Sequence, residues 1–263
     1  MTNRNYLIIV VGPTAIGKTA LAIQLAQHFN SEIVSCDSRQ FYKEMKIGTA
    51  VPSEEELSLV PHHFIQNKSI NDSYNVRDKE KEVLPLLDRL FLQNNIQVVV
   101  GGSGLYVDAI TRGFDEFPEV SDVIKMDIEK NYESLGIAYL QDMLSKLDPE
   151  YYEHLKNSNP QTLVNQQRMK RFVGVCIAAE KPYSTFLNQE KNKRNFLPIT
   201  IALEAPREEM YARINQRVDL MMQKGLLNEV KYLSKYKNSN ALQTVGYREL
   251  FDYLDEVFTL DEA

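Results

Sequence analysis

Gly12-Pro13-Thr14-Ala15-Ile16-Gly17-Lys18-Thr19 is the stretch from which the rest of this chain is read. It fits G-x-x-x-x-G-K-[ST], and its flanks give that pattern physical meaning. The apolar run Tyr6-Leu7-Ile8-Ile9-Val10-Val11 leads in and the amphipathic Ala20-Leu21-Ala22-Ile23-Gln24-Leu25-Ala26 leads out, so strand, loop and helix are predicted in that order. The glycines let the backbone curl until successive N–H groups point at phosphate oxygens. The helix N-terminus adds a partial positive charge and Lys18 a full one, while the Thr19 hydroxyl is a ligand for Mg2+. Gly12, Thr14, Ala15, Ile16, Gly17, Lys18 and Thr19 are therefore the expected diphosphate-binding residues, with Thr19 the metal ligand.

A nucleotide-hydrolysing enzyme with such a loop carries a second apolar strand ending in an acid that steadies magnesium. The candidate strand Ile96-Gln97-Val98-Val99-Val100 ends instead in Gly101-Gly102-Ser103-Gly104. The acid comes earlier, where the beta-branched run Glu32-Ile33-Val34-Ser35-Cys36 delivers Asp37 to a strand end. In open α/β sheets the ligand crevice lies beyond the C-terminal strand ends, so Asp37 and the loop should share one cleft. Asp37 is then either a proton acceptor or the N-cap of a helix through Ser38-Arg39-Gln40. Gly101, Gly102 and Gly104 read as positions where the backbone approaches a ligand closely. Further on, Arg213 and Arg217 lie four apart on one face of a predicted helix, placed either to reach a diphosphate or to form ordinary surface ion pairs.

Composition bounds the class. With 263 residues, 43% hydrophobic and 25% charged, the chain can bury a core of one large or two modest domains. No run approaches the roughly 18 apolar residues of a membrane span and the start lacks a secretion signal, so a cytoplasmic protein, expected to be a monomer, is predicted. Cys36 and Cys176 stand alone, which favours reduced thiols, and the adjacent His62 and His63 point opposite ways if extended, which disfavours zinc. The net charge of −6 is unusual for a protein that grips RNA, but Asn165 to Asn195 holds seven basic residues (Arg168, Lys170, Arg171, Lys181, Lys191, Lys193, Arg194) against Glu180 and Glu190. That segment is either an RNA-facing patch or a solvated helix face.

Several blocks, taken in order, resemble the tRNA dimethylallyltransferases (tRNA isopentenyltransferases). They are Asp37-Ser38-Arg39-Gln40-Phe41-Tyr42, Ile47-Gly48-Thr49-Ala50, Pro61-His62-His63-Phe64-Ile65 and Gly101-Gly102-Ser103-Gly104-Leu105-Tyr106. Asp148-Pro149-Glu150-Tyr151, Gln167-Arg168-Met169-Lys170-Arg171, the run from Arg213 to Met221, and Thr244-Val245-Gly246-Tyr247 fit as well, so the resemblance spans nearly the whole chain. It implies an enzyme that transfers a dimethylallyl group from dimethylallyl diphosphate to the exocyclic amine of the adenosine 3′ of the anticodon, in tRNAs reading codons that begin with U. By this resemblance Asp37 takes the amine proton, Arg217 and Arg213 approach the diphosphate, and the Ser103 hydroxyl, at a position more often threonine, meets the RNA or the metal-diphosphate. A hydroxyl that caps the next helix is the alternative for Ser103. Asp37, Ser38, Arg39 and Gln40 would line the pocket for the base, with Ser103 beside them. Gln167, Arg168, Met169, Lys170 and Arg171, together with Lys125, would contact the anticodon stem-loop.

The expected fold is α/β, with a P-loop NTPase-like parallel sheet core (residues 1–113 and 196–263) interrupted by a helical insertion (114–195) that binds tRNA. A helical pattern near Asp78 to Leu92 contains Pro85, a candidate kink, and Glu54-Glu55-Glu56 reads as a helix start. Gln66 and Gly174 stand where the family usually has acids. Full-length relatives continue into a basic C-terminal segment, so this sequence reads as truncated, with catalytic groups present and tRNA affinity lowered. An adenylate isopentenyltransferase or a P-loop small-molecule kinase uses the same loop. A non-catalytic RNA-binding module is the third reading.

Overall fold

The computed structural model describes residues 4–187 and 193–263. In chain order the elements begin β1 (Asn5–Val11), α1 (Lys18–Phe29), β2 (Ile33–Ser35), α2 (Glu54–Leu59), β3 (His62–His63), α3 (Val76–Phe91), β4 (Ile96–Val100) and α4 (Gly104–Thr111). Four further helices follow, α5 (Asp122–Leu135), α6 (Ile137–Leu147), α7 (Pro149–Ser158) and α8 (Gln166–Ala179). The chain then forms β5 (Phe196–Ala202), α9 (Arg207–Gln223), α10 (Leu226–Leu233) and α11 (Tyr247–Leu254). Two compact units result, Met1–Gly113 with Lys193–Ala263, and Phe114–Asn192.

The first unit is built on a five-stranded, all-parallel sheet in the order β3-β2-β4-β1-β5. Tyr6 pairs with Ile96 and Val10 with Val100 on one side of β1, and Asn5 to Val11 pair with Phe196 to Ala202 on the other. Strand β1 is a continuous apolar run because both its faces are covered. Leu7 and Ile9 pack with Val83, Leu87, Ile110 and Tyr247, while Ile8 and Val10 pack with Ala22, Ile23 and Ala26 of α1.

Local signals set the helix ends. Ser53 and Glu56 form a capping box at α2, so the Glu54-Glu55-Glu56 run does open a helix. Asn75 and Asp78 do the same at α3, which runs unbroken through Pro85. Where the chain leaves this unit and where it returns lie side by side. A Cβ on Gly113 would fall 3.0 Å from Arg194 Nη2, and the Arg194 guanidinium donates to Glu80 Oε1 (2.5 Å) and to the carbonyls of Ile110 and Ala109 (2.8 Å each).

The second unit is helical. Its core joins Ile128, Leu140, Leu144, Leu155, Met169, Phe172, Val173 and Cys176. Asp148 is buried there and caps α7 through Tyr151 N–H (3.1 Å) while accepting Ser184 N–H (2.7 Å). Gly174 faces Val120 and Ile128, so an acid there would enter an apolar contact.

Lys79 is the least expected member of the sheet unit's core. It is fully buried, and its ammonium sits 4.4 Å from the Phe64 ring centroid, 5.2 Å from Phe41 and 5.8 Å from Tyr106. No hydrogen-bond partner meets Nζ among the described residues. Burial pushes its pKa down to about 8, against the opposing pull of Cys36, Asp37 and Glu82. Between about 8 and the ordinary lysine value the unfolded chain holds this proton and the folded chain does not. Stability therefore rises with pH across that window, and the burial penalty is felt in full below it. At about 1.4 kcal/mol per pKa unit the cost near neutral pH is on the order of 3 kcal/mol. Lys79→Met should accordingly unfold at higher denaturant than the parent at pH 7, with the gap shrinking between about pH 8 and 10.5. Urea titrations over that range check this, and a gap independent of pH would contradict it.

Candidate active site

The C-terminal ends of β1, β2 and β4 meet at one cavity of about 1130 Å³. From β1 the chain enters the phosphate loop, with Gly12 at φ 144° and Gly17 at φ 100°. A Cβ on Gly12 would come 2.7 Å from the Leu203 carbonyl oxygen, so both conformation and space require glycine there. Gly17 is the N-cap of α1 and no side chain caps that helix, which leaves its first N–H groups directed into the loop. Thr14, Ala15, Ile16, Gly17, Lys18 and Thr19 all line the cavity. Lys18 Nζ folds back to donate to the Pro13 carbonyl at 2.6 Å.

Strand β2 brings Asp37 to the same wall. Its Oδ1 accepts Arg39 N–H (2.8 Å) and Gln40 N–H (3.1 Å). The expectation of a helix N-cap is corrected in one respect, because Ser38 to Gln40 form a turn and no helix starts there. The carboxylate closes an Asx turn on one oxygen and still faces the cavity. Ser38, Arg39 and Gln40 line the cavity beside it. Gln40 Nε2 donates to both Thr49 O (3.2 Å) and Ala50 O (3.0 Å), which uses the donor end of the amide and turns Oε1 toward Ser35 Oγ, 3.4 Å away. Both ends of the Gln40 amide are thus engaged within the protein.

Ser103 lines the cavity at the N-cap position of α4, and its hydroxyl makes no capping bond. The close-approach reading of the glycines divides. A Cβ on Gly101 would overlap the Cys36 carbonyl and lie 2.9 Å from Asp37 N, so it is the neighbouring strand's backbone that requires glycine there, not a ligand. At Gly102 and Gly104 a Cβ would meet nothing within 4 Å.

Helix α9 supplies Arg217, which lines the cavity and donates from Nη1 to Thr14 Oγ1 at 3.2 Å. Arg213, one turn earlier, is not on the cavity wall; its guanidinium lies 3.7 Å from Glu209 on the same helix. Burial lowers the pKa of both Lys18 and Arg217, Arg217 lowering Lys18 further, while Asp37 pulls both back up. Two partly desolvated cations and the Asp37 carboxylate thus feel one another in a single cavity. Its far wall is apolar, formed by Ile214, Val218, Met221, Leu226, Val245 and Leu250. Sequence reasoning assigned nothing to that wall. Its residues come from three helices and a loop, and each reads alone as ordinary core.

In the second unit Gln167, Arg168 and Arg171 are exposed on α8. Met169 is not available to RNA: it is fully buried, because the helical period that turns its neighbours outward points it at the core with Phe172, Val173 and Cys176. Lys170 bonds both oxygens of Glu129 at 2.8 Å and covers the Tyr132 ring, and Lys125 pairs with Asp122 at 2.8 Å. The basic segment read from Asn165 to Asn195 also loses Arg194, which is locked to Glu80 in the sheet unit. Lys191 and Glu190 lie outside the described residues.

Residues 40–263 match the family model described as IPP transferase, and the chain is 64% identical over 258 residues to a tRNA dimethylallyltransferase of Flavobacterium johnsoniae. The chain belongs to the IPP transferase family. The alignment with the Flavobacterium johnsoniae member covers 98% of this chain and 84% of that protein, and a family member from Christiangramia forsetii, also a tRNA dimethylallyltransferase, is 51% identical with the same coverage. Among solved structures, the full-length tRNA isopentenylpyrophosphate transferase from Bacillus halodurans superposes with a TM-score of 0.68 and 33% identity, covering 98% of this chain and 80% of that one. A eukaryotic dimethylallyltransferase acting on tRNA gives a TM-score of 0.79 at 26% identity, over 96% of this chain and 64% of that one. The sheet unit has the P-loop NTPase-like fold of this family.

Because the Asp37 backbone rests against Gly101, the site's geometry depends on that contact. Gly101→Ala should lower stability by about 1–3 kcal/mol, the usual range for forcing an added methyl into packed structure. Gly102→Ala, whose Cβ is unopposed, should change it by less than about 0.5 kcal/mol. Chemical denaturation of the pair tests this, and equal effects would contradict it.

Proposed function

We propose that this chain transfers a dimethylallyl group from dimethylallyl diphosphate to tRNA, at the exocyclic amine of the adenosine 3′ of the anticodon in tRNAs reading codons that begin with U. The observation that carries the reading is the shared cavity of Lys18, Arg217 and Asp37. The amine nitrogen attacks the allylic carbon as the carbon–oxygen bond to diphosphate breaks, and the N–H proton passes to Asp37. The loop N–H groups, Lys18 and Arg217 stabilise the charge that grows on the departing diphosphate. Every tenfold in rate asks for only about 1.4 kcal/mol, so a few directed donors account for much of the acceleration. The apolar wall accommodates the five-carbon chain and keeps water from competing for it.

A divalent cation, magnesium by the chemistry of the loop, fits this donor set. The Thr19 hydroxyl lines the cavity beside the loop N–H groups, while Asp37 is kept for the proton. That suits an ion held largely by substrate oxygens and water. When bound it would offset charge on the diphosphate. Arg168, Arg171 and Gln167 on α8, with Lys125, supply the surface for the anticodon stem-loop. No helix among the described residues is long and apolar enough to cross a membrane.

Incubation with labelled dimethylallyl diphosphate and unmodified tRNA, AMP or ATP in parallel should label tRNA alone. Label on AMP or ATP would point to an adenylate prenyltransferase and overturn the tRNA reading. Asp37→Ala should slow transfer by at least about a hundredfold while tRNA still binds, and Lys18→Ala should raise the donor's KM and slow turnover. Rates within a few-fold of the parent would remove those groups from the chemistry. Arg168→Glu with Arg171→Glu should weaken tRNA binding and flatten the slope of log K against log salt by about one to two. An unchanged slope would move the RNA surface elsewhere.

A further inference from the structure

Glu229, on α10, makes a set of contacts that a surface acid of a helix does not need. Its Oε2 accepts the N–H groups of Lys46 (3.0 Å) and Ile47 (2.8 Å), and its Oε1 accepts Gly48 N–H (3.0 Å) and the Tyr247 hydroxyl (2.6 Å). Three consecutive amides, 181 to 183 residues away in sequence, and a phenol 18 residues away thus converge on one carboxylate. Tyr247 is itself fully buried, and its ring lies so close to Gly48 that a Cβ there would stand 2.5 Å from Cε2 and 2.7 Å from Oη. Glycine at 48 is what lets the loop lie flat on the ring.

The clamped segment leads straight to the acceptor side of the cavity. Ile47 O accepts Ala50 N–H (3.0 Å) and Lys46 O accepts Val51 N–H (3.2 Å), so fixing residues 46 to 48 fixes the turn that follows. The carbonyls of Thr49 and Ala50, displayed by that turn, hold both donors of the Gln40 amide, and the Gln40 N–H is one of the two on Asp37 Oδ1. Gly48, Thr49, Ala50, Gln40 and Asp37 all line the cavity, whereas Glu229 does not.

We infer that Glu229, with Tyr247 as its second support, is a positioning residue for the nucleic-acid acceptor: it sets the 46–50 turn, which sets the orientation of Gln40 beside Asp37. The phosphate loop lies outside this chain of contacts, so the effect falls on the acceptor and not on the diphosphate donor. The inference deepens the proposed prenyl transfer and rests on it. A merely structural Glu229 would predict losses spread over both substrates and independent of Gln40.

The test is a double-mutant cycle read with both substrates. Glu229→Gln keeps the size of the side chain and loses the charge that accepts three amides. In the parent background it should lower kcat/KM for tRNA about ten- to a hundredfold, as expected for a small misplacement of reacting groups, and leave the donor's KM within about twofold. In a Gln40→Ala background, where the orientation to be protected is gone, the same change should cost less than about threefold. Tyr247→Phe keeps the buried ring and removes only the hydroxyl, so it serves if Glu229→Gln folds poorly. It should show the same dependence on Gln40 with a smaller loss. Equal losses in both backgrounds, a donor KM that rises in step with that of tRNA, or full activity of both variants would each overturn the positioning role. A parent that prenylates no tRNA would overturn the proposed function and this inference together, whereas an active parent with indifferent variants overturns the inference alone.

Discussion

Two backbone hydrogen bonds organise this molecule: Cys36 N–H to Val100 O (2.6 Å) and Gly101 N–H to Val10 O (3.3 Å). They tie the C-terminal ends of β2, β4 and β1 at one level, so the chain leaves all three strands into the same cavity. The tight seat of Gly101 on the Cys36 carbonyl keeps that level fixed. The phosphate loop, the acid and the serine that follows β4 are then neighbours, although they lie tens of residues apart. Such convergence follows from parallel strands, whose crossovers all return the chain to one end of the sheet.

Charge is arranged against solvation in this space. Lys18 and Arg217 are both drawn out of water, which lowers the pKa of each, and the Arg217 charge lowers that of Lys18 further. Asp37 pulls both values back up, and its turn with Arg39 and Gln40 fixes the direction of its carboxylate. Under the proposed reaction a diphosphate between the cations would be held by groups already oriented, leaving little reorganisation for the chemical step. Lys79, buried one layer below among Phe41, Phe64 and Tyr106, adds a further positive charge near the same strand end.

Much of this was legible in the sequence because the signals are local. The run from Tyr6 to Thr19 carries strand, loop and helix in one stretch, and β2 delivers Asp37 by the same logic. The acids Glu54 to Glu56 marked the start of α2, whereas the capping boxes of Ser53 with Glu56 and Asn75 with Asp78 went unread. What escaped depends on three-dimensional neighbours. Met169 sits inside a basic pentad, yet the helical period turns it inward, a point that charge counting ignores. Arg194 was counted toward an RNA surface, but its guanidinium is spent on Glu80 and on the last carbonyls of α4. Gly101 was read as making room for a ligand when it makes room for another strand. Arg213 and Arg217 were equivalent by spacing, yet Arg217 lines the cavity while Arg213 lies 3.7 Å from Glu209. Glu229 carried no sequence signal at all, since its partners lie in the loop before α2 and at the start of α11.

The pinning of Gly113 against Arg194 bears on how such a protein is assembled by evolution. Because departure and re-entry are held together by Glu80 and the α4 carbonyls, the excursion between them is a closed handle whose ends are fixed by the sheet unit itself. The entropy of closing such a handle grows only slowly with its length. Its contents can therefore be lengthened, shortened or exchanged with little effect on strand order. A lineage can rebuild that handle while the strand ends and the cavity beside them stay as they were.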